Sequence, residues 1–122
     1  MEIDRAVFVE GVQTISESVY SFHERFGIGC VNTLDTVETL EAMKQRLVLL
    51  TEEMGEHSRA INRGEVDNTI LEAVDIAYIA LGTILTLGSF GTKACYEVAR
   101  KNDAKTMSTH ARHSDTGKVL ET

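Results

Sequence analysis

No proline interrupts the 122 residues, and apolar side chains recur at three- and four-residue steps in successive long blocks. That spacing marks amphipathic helices, and nothing along the chain forbids their being long. The first block runs from about Ile3 to Arg25, with Val7, Val12, Ile15, Val19, Phe22 and Phe26 on its apolar side, and Gly27, Gly29 and Asn32 break it. The second begins near Leu34, with Asp35 or Thr33 as N-cap, and carries Leu40, Met43, Leu47, Leu50, Met54 and Ile61 up to Asn62-Arg63-Gly64. The third covers about Asp67 to Leu87 and stops at Gly88-Ser89-Phe90-Gly91; the fourth spans about Thr92 to Met107. The blocks are rich in good helix formers, no strand pattern competes, and nothing repeats internally. The reading is an all-α four-helix bundle over residues 1–107 followed by a polar, loosely ordered tail over 108–122. The short connection at residues 62–66 makes an antiparallel hairpin of the second and third helices.

A length of 122 residues supports one domain with a core of its own. A net charge of −7 excludes a general affinity for nucleic acid, although a bound cation would still admit a small phosphate ligand. The N-terminus leads straight into an amphipathic helix rather than a signal peptide, and Cys30 and Cys95 read as reduced thiols of a cytoplasmic protein. The most apolar run, Ala73–Leu87, is too short for a membrane span and carries Asp75, so it reads as a buried helix with no membrane partner.

Two acidic clusters stand out on the hairpin. Glu52, Glu53 and Glu56 lie late in the second helix, and Glu72 and Asp75 lie early in the third. Carboxylates three residues apart share a helical face, and a turn near residues 62–66 sets Glu53 level with Asp75 and Glu56 level with Glu72. A solvated acidic face is the ordinary explanation of such a triplet. Asp75 argues otherwise, because it sits among Ala73, Val74, Ile76 and Ala77, and no basic residue occurs between Arg63 and Lys93. Oxygen-seeking divalent cations would relieve four mutually repelling acids, magnesium first and manganese as its substitute. A ferritin-like di-iron centre needs Glu-x-x-His steps, and none of His23, His57, His110 or His113 has a Glu three residues before it. On the fourth helix, Asn102 and Lys105 continue the apolar face of Cys95, Val98 and Ala99, beside Arg100 and Lys101; polar groups there suggest a ligand contact. Arg46, one or two turns before the acids, is a further cation able to reach phosphate.

These residues resemble a known signature. Glu52-Glu53-x-x-Glu56 followed by Glu72-x-x-Asp75 is similar to the metal-binding pattern of the MazG-like all-α nucleoside triphosphate pyrophosphohydrolases, a superfamily that includes dimeric dUTPases, dCTP pyrophosphatases and phosphoribosyl-ATP pyrophosphohydrolases, and the local matches look most like its phosphoribosyl-ATP-like and phage MazG-like branch. The likeness extends through Phe22-His23-Glu24-Arg25-Phe26-Gly27, the stretch from Arg46 to Glu56, the segment from Asp75 to Thr83, and Asn102-x-x-Lys105, covering roughly residues 19–106. It implies metal ligation by Glu53, Glu56, Glu72 and Asp75, and a role for Glu52 or Glu53 in handling the attacking water. It also implies substrate contacts from Asn102, Lys105, Lys101, Arg46 and His23, and a homodimer or homotetramer. The activity it implies is hydrolysis of (deoxy)nucleoside triphosphates to monophosphate and pyrophosphate. Phosphoribosyl-ATP hydrolysis and a non-catalytic helical interaction module are the rivals. One departure is His57-Ser58-Arg59 directly after the first cluster, where Arg59 either changes substrate choice or faces water.

Overall fold

The structure is a computed structural model that describes residues 2–122. Four helices carry the fold: α1 (Arg5–Arg25), α2 (Thr36–Asn62), α3 (Val66–Thr86) and α4 (Gly88–Asp103). Local chemistry sets their starts. The Asp4 carboxylate accepts from Ala6 N at 2.7 Å, and Asp35, one of the two expected caps, accepts from Glu38 N at 3.1 Å. Gly64, at φ 69°, turns the chain between α2 and α3, so the hairpin forms where the sequence puts it.

The joint between α3 and α4 differs from expectation. Gly88 to Gly91 read as a loop, yet a single residue, Leu87, separates the two helices, and α4 starts one turn early. Gly88 makes the bend at φ 61°. Gly91 serves a different purpose: a Cβ there would collide with the carbonyl oxygen of Ile84, so its missing side chain lets the helices cross closely.

The tail differs as well. Instead of a loosely ordered segment, His110–Arg112 and Val119–Glu121 form an antiparallel pair, β1 and β2, with Ala111 opposite Leu120. The turn is held by His113, whose Nδ1 accepts from the backbone of Asp115 at 3.2 Å and Thr116 at 3.3 Å, and by Gly117 at φ 73°. Three-residue strands are too short to register an alternating pattern in the sequence.

Among the described elements, α3 is the hub: the backbones of α1, α2 and α4 each approach it, and the two strands approach only each other. The interior is small. Val19 and Ala60 are the buried apolar residues, with His23 and Thr86 as buried polar ones, while Phe8, Leu47, Leu71 and Tyr96 stand exposed. The sequence reading of α3 as a buried helix therefore needs correction within one chain. Counted from its true start, α3 has 21 residues and is long and apolar enough to cross a membrane by length and composition, and little of it is buried within this chain. Asp75 is exposed, so burial of its charge does not by itself demand a cation.

Candidate active site

The α2–α3 hairpin brings three of the predicted acids together. One carboxylate oxygen from each of Glu53, Glu56 and Glu72 lies within 4.8 Å of the others. Glu53 and Glu72 are half-buried and Glu56 is exposed. The Oε2 atoms of Glu53 and Glu72 are shut off from solvent and, among the described residues, have no hydrogen-bond partner. Native structures rarely leave such atoms unmatched. The ion pairs of the described residues join Lys44 to Glu41, Arg63 to Glu65 and Arg100 to Glu97, and none involves these acids.

Electrostatics record the crowding. Burial first, then repulsion from Glu56, then the close approach of the Glu72 carboxyl and the charge of Asp75, push the Glu53 carboxyl up to about 7. Burial, then Glu56, also raise Glu72. A set of carboxylate oxygens alone, with two lone-pair sites turned inward and unused, fits a hard divalent ion such as magnesium or manganese. Asp75 lies outside this set of three, and with Glu53 it lines an apolar cleft. Glu52, one residue before Glu53, is exposed and makes no side-chain hydrogen bond or ion pair among the described residues.

That cleft, about 280 Å³, lies between α1 and the hairpin, with Phe22, Ile28, Leu49, Tyr78 and Ile79 as walls. Phe22 meets Tyr78 edge-on at 6.1 Å between ring centroids, and the Tyr78 hydroxyl lies 3.0 Å from Ser18 Oγ. Its polar members are His23 and Arg46. Arg46 is tied to α3, donating from Nε to Thr83 Oγ1 at 3.1 Å and from Nη2 to the Ile79 carbonyl at 2.8 Å. His23 is 5% exposed, and its Nδ1 has no hydrogen-bond partner. Burial, reinforced by the Arg46 charge, lowers its pKa and keeps the ring neutral at pH 7. Gly82 makes the arrangement fit: a Cβ there would lie 2.7 Å from His23 Nε2 and strike the Arg46 guanidinium.

The remaining predicted contacts sit elsewhere in the chain. Asn102 and Lys105 are joined to each other, Lys105 Nζ donating to Asn102 Oδ1 at 3.1 Å, while Asn102 Nδ2 donates to Val98 O at 2.9 Å. Lys101 is exposed beside them. Among the described elements the α4 backbone approaches α3 alone, so a single chain does not bring this pair to the acids on α2. Spacing alone missed the aromatic walls and the role of Gly82. A glycine inside an otherwise strong helix was the available signal, since it marks a close approach by a neighbour.

A family model described as Phosphoribosyl-ATP pyrophosphohydrolase matches residues 19–102, more than two thirds of the chain. The match takes in every acid of the hairpin, His23, Arg46 and Asn102, and stops before Lys105. Comparisons with curated proteins and with solved structures returned no match. With its four helices and its hairpin of acids, the chain belongs to the phosphoribosyl-ATP pyrophosphohydrolase family of the MazG-like all-α superfamily, whose activity class is pyrophosphohydrolysis of nucleotide-like substrates.

Proposed function

We propose that this chain hydrolyses (deoxy)nucleoside triphosphates to the monophosphate and pyrophosphate, with magnesium held by Glu53, Glu56, Glu72 and Asp75. The observation that carries the reading is the pair of solvent-shielded, unpartnered oxygens, Glu53 Oε2 and Glu72 Oε2, within one carboxylate set. Bound divalent cations supply charge neutralisation for the phosphates and a lowered pKa for an attacking water.

The chain's own residues do the rest. Glu52 or Glu53 takes the proton from that water, with Glu52, the next residue along the helix, orienting the nucleophile. The apolar cleft receives the base, with ring faces offered by Phe22 and Tyr78 and a neutral His23 within it. Arg46, held by Thr83 and Ile79, keeps a fixed positive charge between base and phosphates.

Asn102 and Lys105 would reach the phosphates from a second copy. Supporting this, a monomer of 13.5 kDa exposes about 6,500 Å², whereas this chain exposes 9621 Å². The excess is of the size that obligate oligomers bury. A homodimer or homotetramer in the cytoplasm is the assembly we propose, with α3 and the apolar side of α1 covered by protein rather than lipid. A second substrate reading, phosphoribosyl-ATP, draws support from the matched family model. Incubating the protein with magnesium and a panel of NTPs, dNTPs and phosphoribosyl-ATP, and assaying pyrophosphate, decides between them. Release of pyrophosphate from none of them would leave a non-catalytic helical module.

A further inference from the structure

We infer that Arg59 and Arg63 form a receptor for the terminal diphosphate of the substrate, at the end of the hairpin away from the base cleft. The inference rests on the hydrolase reading above and adds a direction to it. A second cleft of about 160 Å³ opens near the α2–α3 turn, lined by Glu56, Arg59, Arg63, Glu65, Asn68 and Glu72. It shares Glu56 and Glu72 with the carboxylate set, just as the apolar cleft shares Glu53. The acids therefore stand between two unlike compartments.

Along α2 the order is Arg46, Leu49, Glu53, Glu56, Arg59, with Arg63 capping its C-terminus, so at 1.5 Å per residue Arg59 lies about 9 Å beyond Glu53. Gly55 lets Arg59 fold back toward the acids: a Cβ at 55 would sit 3.3 Å from Arg59 Nη1. Although surrounded by acids, Arg59 makes no ion pair among the described residues, and Arg63 has only Glu65 at 4.0 Å. Two guanidinium groups with most of their donors unengaged, one folded back beside a metal-type carboxylate set, match a diphosphate, whose oxygens take bidentate contacts. The compartment walled by Phe22, Leu49 and Ile79 suits a ring and not a polyanion. Only one orientation satisfies both ends: ring toward α1, terminal phosphates toward the turn. After cleavage the same pair would hold the leaving pyrophosphate.

Titration calorimetry of the full chain with inorganic pyrophosphate in magnesium tests this, using wild type, R59A, R63A and the double variant, each checked by circular dichroism. We expect each single change to weaken pyrophosphate binding about 10-fold and the double change about 100-fold, with nucleoside monophosphate binding unaltered. Pyrophosphate binding by the double variant at wild-type strength overturns the receptor, as does equal loss of monophosphate binding. The hydrolase reading is judged separately, by turnover of wild type against E53Q. A protein that binds pyrophosphate through its arginines and hydrolyses nothing retains the receptor and loses the enzyme; one that hydrolyses with R59A and R63A unimpaired does the reverse.

Discussion

The α2–α3 seam and the outer helices α1 and α4 are built from the same kind of amphipathic sequence, yet they finish differently. In the seam, a three-residue turn joins two helices that pack together, and acids 53 to 72 meet within 4.8 Å inside one chain. On the flanks, Phe8, Val9 and Val12 of α1 and Tyr96 and Val98 of α4 face outward, and the Asn102–Lys105 pair meets no acid of α2. Chemistry close in sequence is assembled by the hairpin alone. Chemistry distant in sequence is left for another surface to complete.

The sharpest way to break that contrast is at the seam. E53Q or D75N should lower turnover at least ~100-fold, the upper range already seen when supporting groups of metal sites are lost, with the helical circular dichroism unchanged. Full activity in both would remove the seam from the chemistry. The flanks come next. Light scattering should report a dimer or tetramer, and F8D, which puts a charge on an exposed apolar stripe, should dissociate it and lower its thermal midpoint. If Lys105 acts across copies, mixing inactive E53Q with inactive K105A chains should restore part of the activity; failure of mixing would return Lys105 to its own chain.

Smaller effects refine the comparison. G82A pushes against His23 and Arg46 together and should cost roughly 1–3 kcal/mol in thermal unfolding, with a raised KM as the catalytic readout. For pH, the folded Glu53 carboxyl lies near 7, above its unfolded value of 4.5. The folded state thus binds the extra proton, and stability of the metal-free chain falls as pH rises through that interval. Melting curves from about pH 5 to about pH 8 should show this fall, and magnesium should reverse it at the high end. G117A, at a left-handed turn position, should cost about 1 kcal/mol confined to the β1–β2 hairpin and leave helix melting as it was.

Much of this was legible from spacing. The hairpin, the meeting of Glu53, Glu56 and Glu72 and the Asp35 cap follow from a 3.6-residue period and a glycine turn. What escaped has physical causes. Gly91 looked like loop material because a sequence does not distinguish a glycine that bends the chain, as Gly88 does, from one that admits a neighbouring carbonyl. Asp75 looked buried because its neighbours are apolar, and composition does not say which apolar surfaces one chain covers by itself. The tail strands rest on His113 capping a turn, a contact between side chain and backbone that leaves no periodic trace.

The one-residue elbow at Leu87 has a geometric corollary. Adding one amino acid there would swing the last helix by about 100° and lift it by about 1.5 Å. Asn102 and Lys105 would then point to another quarter of space while every carboxylate stayed where it was. The elbow sets phase rather than reach, so an insertion that changes neither composition nor charge could uncouple the two ends of the molecule.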